Sequence, residues 1–88
     1  EEGETFDDSI ERLSSLQAGE QAEIVGMSSL CRGLERNRLL DLGVVPGTVT
    51  TVEIINPSGS PVGYRLRGAC VALRREQADR IRIRKVRQ

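Results

Sequence analysis

The sequence predicts a small, mainly β barrel of about five short strands, with one short helix capping an open end. Runs of β-branched or alternating residues are separated by turn-forming residues at intervals of roughly 8 to 12 positions. This spacing is typical of barrels and sandwiches, and 88 residues are enough only for a small barrel. The same length predicts one domain, because two cores would each be too small to fold without staples.

The N-terminal part predicts a tail followed by the folded domain. Residues 1–8 are acidic and polar without periodicity, which predicts a loose tail, and residues 9–88 are predicted to form the domain. Leu13–Glu20 predicts one helical turn, because it contains two Leu three positions apart and a Gly that ends the turn. Gln21–Val25 predicts the first strand, and Gly26–Gly33 predicts a loop.

The capping helix is predicted at Glu35–Leu42. No Gly, Pro or β-branched residue interrupts this stretch, and two Leu at i and i+3 form an apolar pair. Gly43 is predicted to end the helix in a left-handed conformation, and Pro46 prevents the helix from resuming. Pro46 and Gly47 together predict a type II turn.

Most of the remaining sequence predicts strands. Thr48–Ile55 is the longest predicted strand. Apolar residues occupy both odd- and even-numbered positions in it, so it is predicted to be central with both faces partly buried. Asn56–Pro61 concentrates turn formers and predicts a hairpin loop. The elements predicted after this loop are strands at Tyr64–Arg67, Cys70–Leu73 and Arg80–Arg84, with one helical turn at Arg75–Asp79 before the last strand.

Composition argues against several classes of protein. No apolar stretch approaches the roughly 18 to 20 residues that span a bilayer, and the acidic start is unlike the basic leader of a signal peptide. We therefore expect a cytoplasmic protein without membrane insertion. The balance of 13 basic and 13 acidic residues, with only Phe6 and Tyr64 as aromatics, argues against nucleic acid as a partner.

The side chains available for chemistry predict a binding module rather than an enzyme. The chain contains no His, the commonest proton carrier at neutral pH, so we expect no catalysis, no cofactor and no permanent metal site. Two cysteines are too few for a disulfide framework, and both are expected to be reduced. Cys70 lies in an apolar run that predicts a buried thiol. The pattern around Cys31 does not predict its place.

Four segments of the chain form a recognisable set: Leu13–Glu20, Arg38–Thr48, Pro57–Pro61 and Val71–Ala78. Together they resemble the FeoA family. The second segment is the most specific, because a helix, its end and a turn follow one another in fixed order. The sequence departs from the family at Ser60, where the family usually has Asp, which puts a role for that carboxylate in doubt.

The resemblance implies an SH3-like barrel and a function in bacterial ferrous-iron uptake. By this resemblance, the chain is a small accessory protein that binds the cytosolic part of the membrane transporter FeoB and modulates it, at the inner face of the membrane. An alternative is the C-terminal SH3-like regulatory domain of an iron-dependent transcriptional repressor, which is similar. Weak self-association is left open.

The predicted partner-binding surface comprises the helix, its following turn and the proline-containing loop. Apolar contact by the helix or turn, flanked by a basic side chain, would supply affinity and orientation. Its predicted residues are Arg38, Leu39, Leu40, Leu42, Val44, Pro46, Pro57 and Pro61. Core packing is the alternative for the leucines.

Two sets of arginines have alternative interpretations. Arg38 could pair with Glu35 or Asp41, or it could serve as an arginine finger for the transporter's GTPase. A row of arginines is expected on one face of the last strand, where it would bind an acidic partner or protect an exposed edge. The row comprises Arg80, Arg82 and Arg84.

Overall fold

A computed structural model describes residues 5–6 and 10–87, and its main feature is an antiparallel sheet. Five strands have at least five residues and two have only two, so the prediction of a mainly β fold with about five strands is confirmed. The strands are β1 (Thr5–Phe6), β2 (Glu11–Arg12), β3 (Gln21–Met27), β4 (Val49–Ile55), β5 (Val62–Leu66), β6 (Ala69–Leu73) and β7 (Ile81–Arg87). The helical elements are a 3-10 turn (Leu13–Ser15), α1 (Gly33–Leu42) and α2 (Arg75–Ala78).

The order of the strands across the sheet is β1-β7-β3-β4-β5-β6, and β2 also pairs with β7. The predicted central position of the strand after the turn is confirmed, because β4 lies between β3 and β5. Within the described ranges this order has two ends, β1 and β6. The predicted tail lies mostly outside the described residues, and its two described residues form β1.

The contact between β3 and β7 joins distant parts of the chain. Ile24 lies opposite Ile83, and both side chains are fully buried. The register shifts between Ile24 and Gly26, which is the signature of a β-bulge. At this point the carbonyl of Ile24 accepts a hydrogen bond of 2.8 Å from the N–H of Gly47, which fixes the turn after α1 to the sheet.

The prediction that both faces of β4 are partly buried is wrong. Thr50 and Val52 are buried on the inner face, whereas Ile54 and Ile55 are exposed, so the core covers only one face of the strand. The cause is a register shift between Val52 and Ile54, which turns Ile54 outward opposite Gly63. The buried hydroxyl of Thr50 donates a hydrogen bond of 2.9 Å to the carbonyl of Arg65, so this polar group is satisfied.

Helix α1 begins two residues earlier than predicted and ends where predicted. Gly43 has a φ of 110°, a left-handed conformation that costs glycine little. Its N–H donates to the carbonyl of Leu40 at 3.1 Å, and the N–H of Val44 donates to that of Leu39 at 3.0 Å. This pair of bonds is a Schellman motif. It brings Leu39 and Val44 into the core, where both are fully buried.

The core lies under the inner face of the sheet and is closed by the helical elements. Among the side chains whose burial the structure describes, it contains one aromatic, Tyr64, which is 1% exposed. The other members are aliphatic, Ala or Cys side chains, as the composition predicts. The buried hydrophobic residues are Leu13, Leu16, Ala22, Ile24, Cys31, Leu39, Val44, Val52, Tyr64, Leu66, Leu73, Ala78, Ile81 and Ile83.

Burial of Tyr64 predicts a loss of stability at alkaline pH. Desolvation, helped by the charge of Asp79, raises the pKa of Tyr64 to about 12. Because this value exceeds the unfolded value of about 10, the contribution of the neutral phenol is complete below pH 10 and is lost as pH rises towards 12. Urea unfolding at pH 8 and pH 11.5 should show about 2 kcal/mol more loss for the wild type than for Tyr64→Phe. Equal losses would contradict the assignment to this phenol.

Candidate functional site

The candidate site is a groove between α1 and the end of β6. Its volume is about 270 Å³. Three of the predicted site residues, Arg38, Leu42 and Pro61, lie in its wall, so the fold brings the helix and the proline-containing loop together. The lining residues are Arg38, Leu42, Pro61, Ala72, Leu73, Arg74 and Gln77.

A second hollow, between α1 and α2, continues the groove. It has a volume of about 350 Å³ and shares Arg38, Arg74 and Gln77 with the groove. Leu34 adds an apolar wall and is 86% exposed, the highest value among the exposed large hydrophobic side chains of the described chain. The sequence-based prediction missed Leu34, because it started the helix at Glu35, two residues after the observed start at Gly33.

The basic side chains of the groove form no ion pair among the described residues, although Glu35 and Glu76 also line the hollow that they share. Arg38 and Arg74 are exposed, and in the part of the chain that the structure describes neither side chain forms an ion pair. The carboxylate of Glu35 is instead bound by Nη1 of Arg80 at 2.9 Å. The predicted alternative in which Glu35 neutralises Arg38 is therefore wrong. Two cations remain available beside an apolar surface.

The predicted row of arginines on the last strand is only partly correct. Arg80 precedes β7 and ties the first turn of α1 to the start of that strand through Glu35. Arg82 is exposed, and Arg84 lies opposite Glu23 of β3. The predicted period-two pattern included Arg80, but α2 ends at Ala78 and the chain is still in a turn at Asp79 and Arg80, so β7 begins at Ile81.

Hydrogen bonds hold the proline-containing loop in a defined shape. Nδ2 of Asn56 donates to the carbonyl of Pro61 at 2.7 Å, and the N–H of Gly59 donates to the carbonyl of Asn56 at 2.8 Å. The hydroxyl of Ser58 donates to the carbonyl of Ser60 at 2.9 Å. The Ser60–Pro61 peptide bond is cis. This loop places Pro61 against the end of β6.

Ser60 links the loop to the start of α2. Its Oγ accepts a hydrogen bond of 3.1 Å from the backbone N–H of Arg75, the first residue of that helix. The side chain of Gln77 accepts another, of 2.9 Å, from the N–H of Arg74. Both bonds satisfy donors that a helix start leaves unpaired. Ser60 therefore connects the proline-containing loop to the start of α2 through its hydroxyl.

The other predicted site residues lie elsewhere. Leu39 and Val44 are in the core, so neither side chain is available to a partner in the folded chain. Leu40 is half-buried. Pro46 and Pro57 are exposed but do not line the groove.

The two cysteines lie in different environments. Cys31 is 1% exposed, and its Sγ lies 3.6 Å from Sδ of Met27. Desolvation raises the pKa of Cys31, with a smaller contribution from Glu35. Cys70 is exposed, so its predicted burial is wrong. It lies opposite Arg65 on the outer face of the sheet, because the hairpin register places Tyr64 and Val71 on the inner face.

The described residues contain neither a cluster of metal ligands nor a helix that could span a membrane. No group of three or more Cys, Asp or Glu side chains there could hold a metal ion. No helix there is long and apolar enough to cross a membrane.

Comparison with known proteins identifies the family. The family model for the FeoA domain matches residues 11–85, which is most of the chain. This chain belongs to the FeoA family. The FeoA family is associated with ferrous-iron transport and is not a known enzyme family.

The similar proteins include a curated relative and several solved FeoA structures. The relative is the Fe(2+) transport protein A/Fe(2+) transporter FeoB fusion protein of Porphyromonas gingivalis, 43% identical over 72 residues, which are 82% of this chain and 8% of the relative. The FeoA solution structure from Chlorobium tepidum has 32% identity and a TM-score of 0.76, covering 84% of this chain and 69% of that one.

A third similar protein supports the fold assignment. The FeoA of Stenotrophomonas maltophilia, solved with zinc and described as a prokaryotic SH3 domain protein, has 25% identity and a TM-score of 0.71. The comparison covers 82% of this chain and 87% of that one. The expected SH3-like fold is confirmed.

Proposed function

We propose that this FeoA chain is an accessory protein of ferrous-iron uptake that binds the cytosolic part of the transporter FeoB and modulates it at the cytoplasmic face of the membrane. The observation that carries the proposal is the Porphyromonas gingivalis relative, which joins FeoA to FeoB in one polypeptide. Such a fusion gives the two parts a high effective concentration for one another, so it favours even a weak contact between them.

The surface properties of α1 support binding of a protein partner. Leu34 and Leu42 provide apolar area, and Arg38 and Arg74 provide two cations without intramolecular partners among the described residues. Protein interfaces typically combine apolar contact with polar groups that fix orientation. The partner surface that fits is therefore apolar and bordered by carboxylates.

An NMR titration of labelled chain with the cytosolic domain of FeoB tests this function. We expect the amide signals of Leu34, Arg38 and Gln77 to shift, because these residues line the continuous groove and hollow. Shifts confined to the opposite region, at Glu23 and Val49, would contradict the assignment of the surface. No shifts at all would contradict the proposed function.

The same samples can test modulation. If the chain modulates FeoB through its GTPase, the rate of GTP hydrolysis by the FeoB domain should differ with and without a saturating concentration of the chain. Ferrous iron added to the NMR sample shows whether the metal changes the affinity. An unchanged turnover would leave binding without the proposed effect on hydrolysis, and would argue against Arg38 as an arginine finger.

A further inference from the structure

Strand β6 is an unprotected edge of the sheet. It pairs with β5 on one side and is the last strand of the sheet order in the described chain. Natural edge strands are commonly protected by charges, prolines or bulges. Residues Ala69–Leu73 contain no charged residue and no Pro, and their five pairs with β5 run without a register shift.

The hairpin between β5 and β6 shows which backbone groups face outward. Its two loop residues, Arg67 and Gly68, have φ values of 50° and 83°, as in a type I′ turn. The flanking pair Leu66–Ala69 therefore exchanges ladder hydrogen bonds, and bonded pairs alternate with non-bonded pairs along the strand. By this alternation, the N–H and C=O groups of Cys70 and Ala72 point to the free edge.

Helix α1 flanks this edge and leaves the groove between them. Leu42 lies on the helix side, and Ala72 and Leu73 lie on the strand side. A groove between an edge strand and a helix is the arrangement in which an extended peptide adds a strand to a sheet. In that mode, main-chain hydrogen bonds supply affinity, and side chains seated in the groove supply specificity.

The charges favour an acidic segment over a second copy of this chain. Arg38 and Arg74 line the groove, and no acidic residue lies among its lining residues. A second copy of this chain would bring another β6 strand, which contains no charged residue, so its strand would offer no carboxylate to the two cations of the groove.

We propose that β6 binds an extended segment of FeoB's cytosolic part as an additional strand, with an apolar side chain on Leu42 and an acidic side chain between Arg38 and Arg74. This inference rests on the proposed function and adds the mode of binding. It requires that the outward N–H groups of Cys70 and Ala72 become hydrogen-bonded in the complex.

The test combines two measurements with the cytosolic domain of FeoB as the probe. In the wild-type chain, the amides of Cys70 and Ala72 should exchange freely with solvent when alone and become protected in the complex. Ala72→Pro removes one outward donor that β5 does not use, and it should weaken binding about tenfold or more. The control variant, Val49→Thr, lies outside the groove and the hollow and should bind within about threefold of wild type, and circular dichroism checks that Ala72→Pro remains folded.

The possible results separate this inference from the proposed function. Unchanged affinity for Ala72→Pro, together with free exchange of both amides in the complex, would overturn strand addition while leaving FeoB binding intact. Protection of the two amides in the chain alone, increasing with its concentration, would identify a second copy as the occupant and overturn the proposal. Absence of binding by the wild type would overturn both.

Discussion

Leu34→Asp should weaken binding to the cytosolic domain of FeoB by about tenfold or more without unfolding the chain. Leu34 is 86% exposed, so the substitution removes no core packing. In the complex, however, the new carboxylate would be desolvated against an apolar surface and would lie near the carboxylates expected on the partner. Isothermal titration with the purified domain measures the affinity, and circular dichroism checks the fold.

Val49→Asp is the matched control for this substitution. Val49 is 49% exposed on β4 and lines neither the groove nor the hollow. The substitution introduces the same charge at a second exposed aliphatic position. The affinity of this variant for the FeoB domain should remain within about threefold of the wild-type value. If Leu34→Asp bound as tightly as this control, α1 would not be the contact surface.

Leu39→Ala should lower the free energy of unfolding by about 2–5 kcal/mol. Leu39 is fully buried where α1 meets the sheet, and its carbonyl accepts the N–H of Val44 in the Schellman motif. Truncation leaves a cavity under the helix as well as removing buried apolar surface. The expected loss is a large part of the 5–15 kcal/mol typical of a small domain, and urea unfolding followed by circular dichroism measures it.

Leu34→Ala on the same helix provides the comparison. Because this side chain is exposed, its truncation should change stability by no more than about 0.5 kcal/mol. A loss below about 1 kcal/mol for Leu39→Ala would show that α1 is not anchored through this residue. The two leucines thus separate the stabilising face of the helix from its binding face.

The fold was predictable where one residue type determines the local backbone. Gly43 ends α1 because its left-handed φ of 110° is expensive for other residues. The strand β7 was also predictable from a local pattern, because Ile81 and Ile83 alternate with arginines. The position of Cys70 was not predictable in this way. An apolar run does not reveal whether its odd-numbered or its even-numbered residues face the core. That choice depends on the register of the hairpin with β5.

The candidate site was predictable only in part, because it is assembled from segments distant in sequence. Arg38, Leu42 and Pro61 were expected from the helix and loop, but Arg74 and Gln77 join them only through the contact between α1 and the end of β6. Glu35 could not be assigned to Arg80 from sequence either, since the two residues are 45 positions apart. Local patterns do not encode such long-range pairs.

We expect the pairing of β3 with β7 to slow the folding of this chain. Ile24 and Ile83 must meet across most of the polypeptide, so the entropy of closing a long loop is lost before these strands gain any hydrogen bonds. Proteins dominated by non-local strand pairs fold in milliseconds to seconds, more slowly than helical bundles of similar size. During that interval β3 as well as β6 presents open backbone groups, and a nascent chain is most vulnerable to wrong pairing before its last strand arrives.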